Sequence, residues 1–316
     1  MPREVFGPDY AFLPASQRLS FDQMVKVAAA FVSLGVDKIR LTGGEPLLRR
    51  GLEGLVETLA ALPTLTGAPL ELALTTNGTL LAEKARALRD AGLTRVTVSL
   101  DAIDDAVFRR MADADVPVSR VLDGIAAAQA AGLTPLKVNA VIERGVNDHQ
   151  ILPLVRFFRG TGVSVRFIEY MDVGGAASWS SGKVVTASEA RAIVEAAYSL
   201  MPADEVRSGS TSVNYRHTDG AGEVGFIASV SHPFCGDCTR ARVSSEGRLY
   251  TCLFAMQGLD LRPWLTEGAS PRDLVDAVRV RWARRDDRYS ELRAAASSLP
   301  ASRRRYPTVR MSLVGG

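Results

Sequence analysis

The sequence predicts an α/β fold of parallel βα units, followed by a smaller α+β region. Two observations carry this. A helix–glycine–strand pattern recurs four times between residues 20 and 172, and beyond about residue 205 it gives way to short strands and turns. All three cysteines of the 316-residue chain fall in that second region, within "FCGDCTRARVSSEGRLYTC".

Ser20 and Gln23 form a capping box, and Met24, Val27, Ala28, Phe31 and Leu34 follow at helical spacing. Gly35 supplies a left-handed C-cap, and "VDKIRLT" reads as a strand. Gly92, Gly132 and Gly162 play the same part before "TRVTVSL", "LKVNAVI" and "VSVRFIEYMDV". A further strand, "LELALTTNG", follows a helix at 51–61. Five strands alternating with helices argue for a parallel sheet, whose ligands bind where the strands exit. Each exit is polar or glycine-rich: "TGGEP" (42–46), "TTNG" (75–78), "SLDA" (99–102), "KVNA" (137–140) and "EYMDVGG" (169–175). Five such exits on one face read as a binding site. In the tail, "EVGFIASV", "ARVSS" and "EGRLYTCLF" are short strands, and a helix with Leu274, Val275 and Val278 follows. A domain boundary is expected near residue 195, dividing 1–195 from 196–316.

Composition narrows the function. Hydrophobic residues make up 47% and charged residues 23%, as in an ordinary globular protein. A net charge of +3, from 38 Lys+Arg against 35 Asp+Glu, gives no bulk field for nucleic acid. The basic runs at Arg284-Arg285 and Arg303-Arg304-Arg305 are local and read as solvated faces. No apolar run reaches the roughly 20 residues of a membrane span, and no signal peptide is visible, so a cytoplasmic location is expected.

Cys235, Cys238 and Cys252 form a C-x2-C-x13-C pattern, an odd count that suits a metal centre better than a disulfide framework. Two centres fit. His232 could complete a closed Cys3His zinc site, or the three thiolates could hold a [4Fe–4S] cluster with one iron open to substrate. If "TRARV" is extended, Arg240 and Arg242 point to the same side, beside the metal. Two parallel guanidinium groups serve a carboxylate or phosphate ligand and add nothing to a structural zinc site; a plain surface strand is the competing reading.

Taken in order, "KIRLTGGEPLLRR", "LTTNG", "VSLDA", "KVN", "VRFIEYMDVG", "PFCGDCTRAR", "YTCLFA" and the final Gly315-Gly316 resemble the MoaA-type GTP 3′,8-cyclases, radical S-adenosylmethionine (SAM) enzymes of molybdenum cofactor biosynthesis. The resemblance implies a partial (β/α) TIM-like barrel covered by a C-terminal domain. It implies that GTP is converted to (8S)-3′,8-cyclo-7,8-dihydroguanosine 5′-triphosphate by SAM-derived radical chemistry. Cys235, Cys238 and Cys252 match the ligands of the family's C-terminal [4Fe–4S] cluster. Arg40, Thr75, Lys137, Arg240, Ala241 and Arg242 match GTP contacts; Gly44, Ser99 and Met171 match SAM contacts, although core packing would equally explain Met171. The tail Gly315-Gly316 matches a terminus that reaches the active site. The implied partners are GTP and the next enzyme of the route, cyclic pyranopterin monophosphate synthase; a homodimer is compatible.

One family element is not found. Members carry C-x3-C-x2-C after the first barrel strand, and those thiolates hold the second [4Fe–4S] cluster, which reduces SAM; here every cysteine is already placed. In the family the third of those cysteines precedes Met-Pro, and this sequence opens Met1-Pro2. The expectation is therefore a chain that begins just after the motif, without the first strand, and is inactive as a cyclase. The rival expectations are a non-catalytic GTP-binding remnant and a zinc-stabilised binding protein.

Overall fold

The computed structural model describes residues 9, 13–172, 179–203, 209–232, 235–236, 238–255, 257–285 and 287. Gly315-Gly316 and Arg303–Arg305 lie outside them.

The barrel unit runs α1 (Phe21–Ser33), β1 (Lys38–Leu41), α2 (Leu52–Ala60), β2 (Glu71–Thr76), α3 (Leu81–Asp90), β3 (Arg95–Ser99), α4 (Asp105–Ala112), α5 (Val118–Ala130), β4 (Lys137–Ile142), α6 (Ile151–Phe158), β5 (Ser164–Glu169) and α7 (Ala187–Glu195). Then come β6 (Leu200–Pro202), β7 (Val213–His217), β8 (Glu223–Ile227), β9 (Arg242–Val243), β10 (Arg248–Tyr250), β11 (Leu259–Asp260) and α8 (Pro271–Ala283). The capping box starts α1: Ser20 Oγ accepts from Gln23 N and Gln23 Oε1 accepts from Ser20 N. Gly35, at φ 94°, turns the chain from α1 into β1.

The five expected strands are parallel and consecutive, and an eight-stranded sheet has the order β1-β2-β3-β4-β5-β8-β7-β6. A sixth parallel strand was not expected. "EVGFI", assigned from sequence to the tail's small strands, is β8 and pairs parallel with β5 after an antiparallel excursion through β6 and β7. The eight-stranded sheet therefore continues to residue 227, and β9–β11 form a separate antiparallel sheet.

Alternation within the strands explains the architecture. Leu72, Leu74, Val96, Val98, Val138 and Val165 are buried against the helices. Their neighbours Arg40, Thr75, Thr97, Lys137, Asn139 and Arg166 line the inside of the sheet. The "TTNG" exit is fixed from outside, because a Cβ on Gly124 of α5 would lie 2.4 Å from Gly78 O. A second core joins the tail to the barrel: Val27 and Ala30 of α1 cluster with Leu249, Leu261, Leu265, Leu274 and Val278. Among the described residues, no helix is long and apolar enough to cross a membrane.

Candidate active site

The inner face of the sheet opens on a cavity of about 1850 Å³, roughly twice the upper end of the usual size for a single-ligand pocket. It reaches from Thr42, Gly43 and Gly44, at the exit of β1, to the Thr239–Ser245 segment opposite. It also runs along the outer side of β1, an edge strand among the described residues, past Leu52, Leu55 and Leu59. Ten Lys or Arg residues line it against three Asp or Glu. That imbalance calls for a polyanion.

Register aligns the inner cations. Arg40 Nη1 donates to Thr75 Oγ1 at 2.7 Å and to Thr97 Oγ1 at 3.1 Å, spanning β1 to β3. Lys137 pairs with Thr97, and Asn139 pairs with both Ser99 and Arg166. Arg166 in turn faces Gly225 of β8; a Cβ there would come within 3.1 Å of Arg166 Cγ, so this glycine leaves room for the long side chain. At the strand starts, Glu71 pairs with Lys38 at 3.2 Å and with Arg95.

These cations disfavour one another's charge. Burial, then the charges of Arg166, Arg95, Lys38 and Arg40, push the Lys137 ammonium down to about 7. Burial followed by Arg40 and Arg95 lowers Arg166 to about 10. Burial and Arg95 lower Arg40, as they do Lys38. Arg166 Nε and Asn139 Oδ1 are buried without a hydrogen-bond partner in residues that line this space. A bound anion with a hydroxyl-bearing body would satisfy both kinds of group.

The exit loops are braced by carboxylates. Glu45 of "GGEP" accepts from Leu47 N (3.0 Å), Thr76 Oγ1 (2.8 Å) and Asn77 N (2.8 Å), tying the β1 and β2 exits together and leaving Gly44 exposed on the wall. Glu169, at the end of β5 and only 2% exposed, accepts from Ala187 N, Val230 N, Ser231 N and Ser231 Oγ at 2.5–2.8 Å. It thereby docks both α7 and the segment that leads to Cys235. Ser99 is exposed at the end of β3 and Met171 is half-buried beyond β5; neither is on the cavity wall.

The three cysteines are free and half-buried. A turn closed by Cys238 N to Cys235 O holds the first two. Arg240 Nη2 donates to Cys238 Sγ at 3.3 Å, and Phe254 N donates to Cys252 Sγ at 3.4 Å. Burial would raise the Cys238 thiol, but hydrogen bonds from Arg240 and the charges of Arg240 and Arg285 hold it below the usual value. Burial raises the Cys252 thiol, and the nearby Asp287, Cys235 and Cys238 add to the rise. Arg242, on β9, is lowered by burial and by Arg240, with Cys238 and Cys252 opposing. Both arginines of "TRARV" thus stand between the thiols and the cavity wall they help form. His232 is exposed, and among the described residues no three His, Cys, Asp or Glu converge as ligands of one ion. The chemistry of the groups here, thiols with N–H donors directed at two of the sulfurs and cations nearby, suits the ligands of an anionic iron–sulfur cluster.

Lys38, Arg95, Asn139, Arg166, Glu169 and Arg285 were not singled out from sequence. For the first four the signal was present: "KIRL", "RVTVS", "KVNAV" and "SVRF" alternate polar with apolar residues, whereas strands buried on both faces read as continuous apolar runs. Glu169 and Arg285 act on backbone far away in sequence, which no local pattern records.

The Radical SAM superfamily model matches residues 7–158, and the Molybdenum Cofactor Synthesis C model matches 163–291. The chain is 52% identical over 316 residues to a GTP 3′,8-cyclase of Xanthomonas axonopodis pv. citri, covering all of this chain and 91% of the relative. It is 52% identical over 301 residues to a GTP 3′,8-cyclase of Acidothermus cellulolyticus, covering 94% and 82%. Among solved structures, native anSMEcpe with bound AdoMet and Cp18Cys peptide aligns with a TM-score of 0.46 and 13% identity, over 84% of this chain and 76% of that one.

Proposed function

The chain belongs to the GTP 3′,8-cyclases, radical SAM enzymes of molybdenum cofactor biosynthesis, and on that premise we propose that it binds GTP across the cavity between the barrel strands and the three-cysteine centre. The observation that carries the proposal is the surplus of cations, ten against three acids, around one cavity, with burial and its neighbours pushing the Lys137 ammonium down to about 7.

In this reading Arg40, Lys137 and Arg166, with Lys38 at the strand starts, receive the triphosphate. Thr75 keeps Arg40 aimed inward through its 2.7 Å hydrogen bond. Arg240, Ala241 and Arg242 flank the nucleotide on the opposite wall. Cys235, Cys238 and Cys252 hold a [4Fe–4S] cluster, and Gly44, Ser99 and Met171 seat SAM. SAM and its reducing cluster, when bound, would supply radical chemistry at the GTP ribose, and Cys235, Cys238 and Cys252 would hold the second cluster on the side of the base. The protein's own residues hold the ribose still and exclude water; no side chain has to serve as a general base. Division into a barrel unit, 1–195, and a cluster- and GTP-binding unit, 196–316, belongs to the same proposal, with β6–β8 lending the second unit's first strands to the barrel's sheet. So do hand-over of product to cyclic pyranopterin monophosphate synthase, a cytoplasmic location and a homodimer.

All three cysteines of these 316 residues fall between positions 235 and 252, which favours a second reading: the chain as given binds GTP without cleaving SAM. The test uses the chain purified and reconstituted without oxygen. Iron and sulfide at four each per chain, with GTP binding weakened at least tenfold by Arg242→Ala, support the site. Zinc in place of iron, or GTP binding indifferent to Arg242, overturns it. Release of 5′-deoxyadenosine from SAM by this same chain would refute the second reading.

A further inference from the structure

The end of α8 and the residues just after it touch both cysteine-bearing segments. Arg285 donates through Nη1 to Cys238 O and through Nη2 to Cys235 O at 3.2 Å, so a single guanidinium bridges both carbonyls of the C-x2-C turn. On the other arm Arg281 Nη2 donates to Thr251 Oγ1 at 3.2 Å, and Thr251 Oγ1 donates to Asp287 Oδ2; Thr251 is buried and directly precedes Cys252. The brace is anchored, because Leu274 and Val278 of α8 pack in the core shared with α1. Arg285 is further steadied by stacking on Trp282, its Cζ 4.8 Å from the ring centroid.

We infer that Arg285 is a positioning residue of the three-cysteine centre, which fixes the C-x2-C turn through its two carbonyls and raises the reduction potential of the cluster bound there. The guanidinium suits the task because its planar fork presents two donors at fixed separation. A lysine ammonium offers only a point charge. Two carbonyls directed at one spot repel unless a cation sits between them. The same cation lies against an anionic cluster, whose potential responds to net charge and to nearby hydrogen bonds. The remaining brace contacts explain why the cation can stay there: α8 delivers it from the barrel side, so the turn is held to the same frame as the cavity's arginines.

The inference rests on the reading of these cysteines as a cluster site, and the test separates the two. The full 316-residue chain is convenient, because its only cysteines are these three and every cluster signal comes from this centre. Wild type, Arg285→Gln, Arg285→Lys and a neighbouring control, Arg284→Gln, are reconstituted with iron and sulfide. The readouts are iron per chain, the midpoint potential followed by electron paramagnetic resonance, and the half-life of iron release to a chelator. In Arg285→Gln the ratio of reduced to oxidised cluster at a fixed poise should fall about tenfold, which is about 59 mV for a one-electron couple. Iron release should also be several-fold faster. Arg285→Lys should recover the potential while still releasing iron faster, and Arg284→Gln should match wild type. If Arg285→Gln loads no iron, Arg285→Lys decides: faster release, or failure to load while Arg284→Gln loads, upholds the inference, and wild-type behaviour overturns it. Potentials and release rates of Arg285→Gln equal to those of Arg284→Gln overturn it alone. A wild-type chain that takes up no iron overturns the cluster reading and the inference together.

Discussion

Replacing Glu169 with glutamine tests whether one carboxylate fastens the cysteine-bearing segment to the barrel. Oε1 accepts from Ala187 N and Ser231 Oγ, and Oε2 accepts from Val230 N and Ser231 N, four donors at 2.5–2.8 Å on a side chain 2% exposed. Hydrogen bonds to a charged acceptor contribute about 1.5–3 kcal/mol each. Glutamine keeps one oxygen and turns an NH2 group toward two of the donors. Two bonds are lost and two N–H or O–H groups are left facing another donor, a combined cost of about 3–5 kcal/mol. At roughly 2 °C per kcal/mol for a chain of this size, the melting temperature should fall on the order of 10 °C, read by circular dichroism. Iron uptake should fall in parallel, because Val230 and Ser231 lead directly into the Cys235 turn. A Glu169→Gln protein that melts within 2 °C of wild type, with full iron, would refute the reasoning.

Three further outcomes follow from the same geometry. With Lys137 near 7 in the free protein, its charged fraction rises about fivefold from pH 8 to pH 7, so GTP should bind about fivefold tighter at pH 7 and take up a proton on binding; calorimetry in two buffers of different ionisation heat checks this, and Lys137→Arg should abolish the dependence. Burial pushes the Asp101 carboxyl up to about 6 from 3.8, so the folded state holds its proton more firmly than the unfolded one and stability falls as pH rises from about 4 to 6. Asp101→Asn should therefore gain up to about 3 kcal/mol over wild type in urea unfolding at pH 7.5, the gap closing by pH 4. Gly225→Ala would set a Cβ 2.4 Å from Ser212 Oγ and 3.1 Å from Arg166 Cγ, costing roughly 1–3 kcal/mol and weakening GTP binding by displacing Arg166; equal affinity would show that Arg166 does not contact the nucleotide.

The parts of this molecule that were readable from sequence are those with a local cause. Ser20 and Gln23 announced α1, and Gly35, Gly92, Gly132 and Gly162, each at positive φ, marked where a helix turned back into a parallel strand. Arg40, Lys137, Arg240 and Arg242 do line one cavity. What stayed hidden was set by register and by distance along the chain. Nothing within "EVGFI" says that it will join β5 after an excursion of 54 positions, from Glu169 to Glu223, because that pairing depends on which sheet edge is open once β5 has formed. The Arg40–Thr75–Thr97 chain likewise exists only because the strands pair in one register; a shift by one residue would send every inner cation out to the helices.

That dependence on register explains why the inner face can be so costly and yet persist. Burial lowers the affinity of Lys38, Arg40, Lys137 and Arg166 for their protons, and the charge of Arg95 adds to the fall at all four. Such crowding of buried cations works against folding. It is tolerated because the opposite face of the same strands buries Leu72, Leu74, Val96, Val98, Val138 and Val165, and a sheet cannot move its polar set without moving its apolar one. The hydrophobic face therefore holds the cations in place before any anion is present. A triphosphate entering the cavity meets charge already oriented, and its binding relieves repulsion that folding has imposed. The cysteine-bearing tail is joined to the same frame through α8 and the core it shares with α1, so that under the proposed function nucleotide and cluster would be positioned by one packed frame.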